Sequence, residues 1–370
     1  MRSTLPLQGN LRENIMLELV KELIQQPGLS GYESPVRDYI VDRMKDLAAL
    51  TVHPIGNLTA TVGSGSPRVL FSAHMDEIGM VVSYIEEYGF LRIRKVGMLD
   101  DRLLVGRSVE IITEAGKIPG VIGVRPPHLM TSLDAFEKNR EIPTWDHILI
   151  DVGTSSREET TNLGIRIMDP VIFRKDFMIL NKTKCAARAL DDRFGCALLM
   201  KSLEAVSKSD LDREVTFAWT VQEEIGALGA QALSKKDAWD IMFAVDACSS
   251  ADVPGVPLHY GPSILGNGPI LRMMDHHSIS TPGLARWVIE LARKERIPLQ
   301  VGPTGGFTDG EHFLAMGIPM VMLSIPVRYM HSPVEMIDRS DLEGLFNLML
   351  AIIREDKTDL LALVSERTVE

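Results

Sequence analysis

Four short apolar runs in this 370-residue chain each lead to an acid or a histidine. Arg68 to Ala73 shows no polar alternation and ends at His74. Trp219-Thr220-Val221 leads to Glu223-Glu224, and Phe243-Ala244-Val245 to Asp246. Leu323-Ser324-Ile325 leads, after a short loop, to His331. An apolar run of strand length without alternation suits a strand buried on both faces, as in a parallel sheet covered by helices. In open sheets of that kind, ligands bind beyond the carboxyl ends of the strands. The pattern therefore constrains fold and site together, because residues far apart in sequence would converge along one sheet edge.

The rest of the chain fits that frame. Leu11, Ile15, Leu19 and Leu23 recur at helical spacing and stop at Pro27-Gly28, so a helix opens the chain, and a second is expected over Pro35 to Leu47. After Lys184, strand and helix patterns alternate. Gly195 to Val206 and Ala285 to Lys294 read as helices, and Val215 to Val221, Ile241 to Val245 and Met320 to Ile325 as strands. Phe217, Trp219 and Val221 would share one strand face. Ser340-Asp341-Leu342-Glu343 reads as a capping box that starts a final helix. Alternation of this kind predicts an α/β domain with a largely parallel central sheet flanked by helices. Residues 80 to 174 differ, with short apolar runs broken by Gly97, Gly116, Gly120, Gly123, Pro126-Pro127, Gly153, Gly164 and Pro170. That punctuation predicts a small β-rich domain inserted into the first, dividing the chain into 1–79, 80–174 and 175–370.

Composition narrows the class. With 45% hydrophobic and 24% charged residues the chain reads as an ordinary soluble globular protein. The net charge, 39 − 50 = −11, repels phosphate backbones and argues against nucleic acid as a partner. No stretch approaches the roughly 20 apolar residues that cross a membrane, and Met1 to Asn14 lacks an apolar secretory core. Cys185, Cys196 and Cys248 are odd in number and not closely spaced, which suits buried core residues and a reducing cytoplasm.

Each polar candidate has an ordinary reading by itself. Asp191-Asp192 precedes a helix and could cap it, Glu223-Glu224 could be a solvated pair, Asp246 could cap a turn, and a lone histidine is more often structural than a ligand. Convergence on one sheet edge changes the weighing. Two histidines and three carboxylates are donors that zinc, cobalt or manganese accept. Three carboxylates set −3 against +4 from two divalent ions, and a bridging hydroxide would bring the site to zero. Such a centre lowers the pKa of bound water toward about 7. One carboxylate must stay off the metals to carry the proton, and the Glu223-Glu224 pair offers one base and one ligand. Asp76 could accept the second ring N–H of His74 and orient it. The reaction class is amide hydrolysis.

These residues fall within motifs of a known family. Ser30-Gly31-Tyr32-Glu33, His74-Met75-Asp76-Glu77-Ile78-Gly79, Leu190-Asp191-Asp192-Arg193, Glu223-Glu224-Ile225-Gly226, Val245-Asp246 and Arg328-Tyr329-Met330-His331-Ser332-Pro333 occur in order over most of the chain. In them the chain resembles the glutamyl aminopeptidase group of dinuclear metallo-aminopeptidases, which includes the tetrahedral aminopeptidases. The resemblance implies a zinc-peptidase-like fold and a bridging Asp191 followed by a cis peptide bond. It implies one metal site completed by His74 and Asp246 and another by Glu224 and His331. Glu223 would be the general acid/base and Asp76 its supporting carboxylate. The insertion would be a small β-barrel mediating dimerisation. Members commonly form hollow dodecamers that degrade short peptides, with zinc or cobalt as the usual metal.

Two departures bear on specificity and assembly without touching the ligands. Phe307 stands within Gly305-Gly306-Phe307-Thr308-Asp309 where a small residue is usual, and Leu228 replaces a basic residue often seen there. Other readings of the chain are an N-deacylase or carboxypeptidase with a similar centre, a glycosidase using two carboxylates (relatives have carried endoglucanase labels), or an inert scaffold. His53, His128, His147, His259, His276, His277 and His312 are read as structural or surface residues, although His128 sits in a Pro-Pro-His-Leu stretch typical of the family.

Overall fold

In the computed structural model the residues described are 7–124, 126–129, 143–174, 176–236, 238–356 and 360. Within the bounds 1–76, 177–330 and 334–370 the described residues form one compact unit, and within 77–176 with 331–333 another.

The first unit is built on an eight-stranded mixed sheet. Its strands are β1 (Leu50–Val52), β2 (Leu58–Val62), β3 (Arg68–His74), β12 (Glu214–Thr220), β13 (Ile241–Ser249), β14 (Ile270–Met274), β15 (Gln300–Pro303) and β16 (Met320–Val327). They lie in the order β1-β2-β12-β3-β13-β16-β14-β15. The four central strands β12, β3, β13 and β16 run parallel. The antiparallel pairings are β1–β2 and β2–β12 on one side and β14–β16 on the other, while the edge pair β14–β15 is again parallel. Every residue of β16 and all but one of β13 are buried, which is why those runs lack alternation.

Successive side chains of the central strands feed two different cores. Phe71, Phe217, Trp219, Phe243, Val245, Leu323 and Ile325 pack with residues of the helices Leu7–Gln25, Leu190–Val206 and Arg339–Arg354. Leu70, Ala218, Met242, Ala244, Met320 and Met322 pack on the other face with residues of the helices Leu228–Ser234 and Gly310–Ala315. Phe71 stacks on Phe243 at 5.0 Å and on Phe217 at 6.0 Å. Each such ring pair adds about 0.5–1.5 kcal/mol beyond its area burial, so three rings across three strands also help fix their register.

The expected helices are present, with shifted ends: Leu7–Gln25, Ser34–Met44, Leu190–Val206 and Pro282–Lys294. Leu19 and Leu23 are buried. The side chains of Leu11 and Ile15 lie outside the described residues. The reading of Ser340 as a cap is corrected. The final helix runs Arg339–Arg354 and its N-cap is Asp338, extended at φ −104° and ψ 135°, whose side chain accepts the Ser340 N–H. A carboxylate two residues earlier in extended backbone was already placed to take that donor. A small antiparallel sheet, β10 (Met178–Leu180), β11 (Lys184–Ala187) and β17 (Glu335–Asp338), completes the unit.

The second unit is a closed six-stranded barrel. It comprises β4 (Gly79–Ile85), β5 (Leu91–Val96), β6 (Ser108–Thr113), β7 (Gly116–Ile122), β8 (Leu149–Asp151) and β9 (Pro170–Phe173) in the order β4-β5-β8-β7-β6-β9. Burial alternates along β5 and β6, and the inward residues, among them Leu91, Ile93, Val109, Ile111, Ile150 and Val171, form a core of their own. Closure leaves no sheet edge exposed. At Gly120 a Cβ would come within 2.8 Å of the Ile150 side chain and 3.0 Å of Ile111, so barrel packing requires glycine there. Among the described residues no helix is long and apolar enough to cross a membrane.

Candidate metal centre

Parallel register brings the first donors level. His74, the last residue of β3, pairs with Thr220, the last of β12. Ala244 pairs with Ser72, which puts Asp246 two residues further on, level with His74. Asp246 lies inside β13 rather than after it, because that strand runs on to Ser249. Glu223-Glu224 follows β12 after a turn at Gln222. His331, at φ +60°, lies in the turn between β16 and β17. Asp191 starts the helix Leu190–Val206 with non-helical φ −74° and ψ 109°, and the Asp191–Asp192 peptide bond is cis.

Two groups of donors result. His74, Asp191 and Asp246 each offer an atom within 4.8 Å of the others, and so do Asp191, Glu224 and His331. All but His331 are buried, and His331 is half-buried. Asp191 belongs to both groups. Its neighbour Asp192 instead accepts the Gly195 N–H at 3.1 Å, the capping role open to either residue from sequence. The backbone N–H of Asp191 is bound by Glu335 Oε2 at 3.1 Å.

The electrostatics fit cations. Nε2 of His74 faces carboxylate oxygens of Asp191 at 3.1 Å and Asp246 at 3.9 Å. Burial pulls the His74 imidazole down, but Asp191 and Asp76, with the charge of Glu223, outweigh it and hold the ring well above its usual value. Burial first, and then the charge of Asp191, pushes the Asp246 carboxyl up to about 7. Glu223 is pushed well above the carboxylate range by burial; His74 opposes this, and Asp246, Glu224 and Asp309 add to it. Crowding acids in a buried space is costly unless positive charge offsets it. Imidazole and carboxylate donors at this spacing suit divalent metals of the zinc type.

Behind these donors lies a second layer. Nδ1 of His74 is 3.2 Å from the Asp76 main-chain oxygen and 3.4 Å from its carboxylate, so the carbonyl is the nearer partner. The Asp76 carboxylate accepts the Glu223 N–H at 3.0 Å, the Glu224 N–H at 3.1 Å and the Ser30 hydroxyl at 2.7 Å. Burial opposes its ionisation, yet these bonds and His74 keep it below the usual value. Asn57 accepts the Val221 N–H at 3.1 Å and donates to Gly229 O at 2.8 Å. Arg272 donates to Ala247 O at 2.8 Å and Gly305 O at 3.0 Å. Thr220 donates to Asp309 at 2.7 Å. Asn57 and Arg272 carry no motif in the sequence. Ser30, Glu33 and Asp309 sit in quoted motifs, but spacing alone assigns them no partner.

The two departures are placed as well. Phe307 stacks on His277 at 5.4 Å with 10° between rings and packs against the core cluster of Leu70 and Phe313. His277 in turn contacts Glu311 at 2.5 Å. Leu228 opens the helix Leu228–Ser234 and is 37% exposed. His53 is buried against Thr59, whereas His128, His147, His259, His276 and His277 are exposed. Cys185, Cys196 and Cys248 are free and buried.

A parallel-centred α/β sheet with two histidine–carboxylate groups near the carboxyl ends of its strands fits the class of metal-dependent hydrolases. Residues 56–348 match the model of the M42 glutamyl aminopeptidase family. The chain belongs to that family, as a metal-dependent aminopeptidase that hydrolyses peptide bonds. It is 35% identical to the lysyl aminopeptidase of Pyrococcus furiosus over 92% of this chain and 97% of that one. It is 40% identical to the TET1 peptidase of Pyrococcus horikoshii, which can assemble into a tetrahedron or a large octahedral shell (TM-score 0.86; coverage 92% and 99%). An aminopeptidase from Desulfurococcus kamchatkensis is 32% identical with a TM-score of 0.90, covering 97% and 100%. Family membership selects the aminopeptidase reading over N-deacylase, carboxypeptidase, glycosidase and scaffold.

Proposed function

We propose that this aminopeptidase removes N-terminal residues from short peptides with two divalent ions, one held by His74, Asp191 and Asp246 and the other by Asp191, Glu224 and His331. The observation that carries the reading is the sharing of Asp191 by two donor groups. The family resemblance points to zinc or cobalt, and the donor set is equally compatible with manganese. When bound, the ions would lower the pKa of water and polarise the scissile carbonyl.

The chain's own groups do the rest. Glu223 is the general base: it is buried beside the donor groups, and its carboxylate can take a proton from the attacking water and pass it to the leaving amine. Asp76 fixes Glu223 and Glu224 through their backbone N–H groups and faces Nδ1 of His74, which leaves Nε2 toward the ligand carboxylates. The barrel domain, read from sequence as residues 80–174, serves dimerisation, and the dimers build a dodecamer; the TET1 relative's tetrahedron supports this. A cytoplasmic location agrees with three free buried cysteines.

The test is Glu223→Gln, assayed on a panel of aminoacyl amides with metal removed and restored. Turnover should fall at least about 100-fold while bound metal is retained. Near-normal turnover with full metal content would refute the role of Glu223, and activity confined to N-acyl amino acids would refute the choice of substrate.

A further inference from the structure

We propose that Ser30 and Glu33 are positioning residues, which hold Asp76 and the backbone ahead of Glu223 in working geometry; this rests on the roles given above to Asp76 and Glu223. Both lie in the link between the helices Leu7–Gln25 and Ser34–Met44, far from the strand ends in sequence. Each is only 5% exposed. Neither belongs to a donor group.

Each has specific partners. The Ser30 hydroxyl donates to Asp76 Oδ2 at 2.7 Å, the same oxygen that takes the Glu224 N–H at 3.1 Å. Glu33 Oε1 accepts the Gly31 N–H at 2.7 Å and the Gln222 N–H at 3.1 Å. A single four-residue loop thus grips both the supporting carboxylate and the residue directly before the base.

Gln222 is where a grip is needed. It sits at φ +58°, in the left-handed region that a residue with a Cβ rarely adopts. Such backbone persists when its surroundings over-determine it. The surroundings here are Glu33 on the Gln222 N–H, Asn57 on the Val221 N–H, and the Leu228 N–H donating to Gln222 O at 3.2 Å. The left-handed turn lets the chain reverse after β12 so that the Glu223 and Glu224 N–H groups both reach Asp76. Without Glu33 the backbone ahead of Glu223 loses the tether on the Gln222 N–H. Without Ser30, Asp76 loses the one side-chain hydroxyl that holds its Oδ2. Small misplacements of a catalytic group cost rate more than binding.

The experiment compares Glu33→Ala, Glu33→Gln and Ser30→Ala with wild type and Glu223→Gln, all metal-loaded, measuring kcat, KM and bound metal. Glu33→Ala should lower kcat by at least about tenfold, the scale for losing an outer-layer partner, with KM within about twofold and metal content unchanged. Glu33→Gln keeps an oxygen for both N–H groups and should stay within about threefold of wild type. Ser30→Ala should lower kcat about fivefold, the scale of one lost hydrogen bond, and it carries the test if Glu33→Ala does not fold. Wild-type kcat in Ser30→Ala and any folded Glu33→Ala, or a Glu33→Gln as slow as Glu33→Ala, overturns the proposal. If that happens while Glu223→Gln collapses, only the positioning role falls; an active Glu223→Gln brings down the underlying reading instead.

Discussion

Two groups of buried acid in the sheet-bearing unit differ in what surrounds them. At the strand ends, Asp246 and Glu223 are pushed up by burial and by the acids beside them. At the corner where β17 meets the final helix, Asp338 is also buried, yet hydrogen bonds from Lys184, Ser340 and Thr183 outweigh burial and hold it below its usual value. Lys184 Nζ lies 2.8 Å from its Oδ2. Three residues on, Asp341 accepts the Gly266 and Gly268 N–H groups, but burial dominates and raises it to about 7. The corner acids take donors from the protein itself, and Asp341 is raised nonetheless, whereas the strand-end cluster gathers side chains that could hold a cation. Burial of acids is therefore no guide to function until their donors are counted.

Removing metal should separate the clusters most sharply. Chelation should abolish aminopeptidase activity, restored by adding the ion back, and should lower thermal stability, because ions that bind only the folded chain stabilise it by about 4 kcal/mol at 1,000 times Kd. Calorimetry with and without chelator checks both. An unchanged melting temperature would mean that the strand-end acids are satisfied without cations, and the contrast would fail.

A smaller effect belongs to the corner. Asp338→Ala should cost about 1–2 kcal/mol, the scale of a lost helix cap, while kcat stays at the wild-type value. The sign of its pH dependence follows from a folded pKa below the unfolded one. The stabilisation is present above the unfolded value of about 3.9 and is lost as pH falls through the folded value, so the variant and wild type should converge in acid. Urea melts at pH 7 and pH 3 measure this.

The smallest effect is expected at Asp341. Its folded pKa is raised, so the folded chain binds a proton more tightly than the unfolded one, and its contribution declines as pH rises from about 4 to about 7. Asp341→Asn should flatten that slope with no change in activity. A slope unchanged in the variant would show that Asp341 is not its source.

The comparison also shows why parts of the molecule were readable in advance. Unalternating runs such as Met320 to Ile325 gave the central strands because burial on both faces leaves no other composition. Glycine and proline punctuation pointed to the β-rich part, whose strands form the closed barrel, for a similar reason, since tight turns admit few residues. The helix start at 339 was misread by two positions. A capping box and a cap at Asp338 look alike in sequence, and only backbone conformation separates them.

Sequence by itself determined the candidate donors, their order and the apolar strands near them, since side-chain type and periodicity are local properties. Tertiary structure decided their division of labour. It placed Asp191 in both donor groups and left Asp192 to cap, turned Gln222 left-handed so that Asp76 could take two backbone N–H groups, and brought Ser30 and Glu33 from a distant loop to hold them. Most of these contacts join chain segments that are distant in sequence, from 46 residues for Ser30 and Asp76 to 189 for Glu33 and Gln222, and no local pattern encodes that.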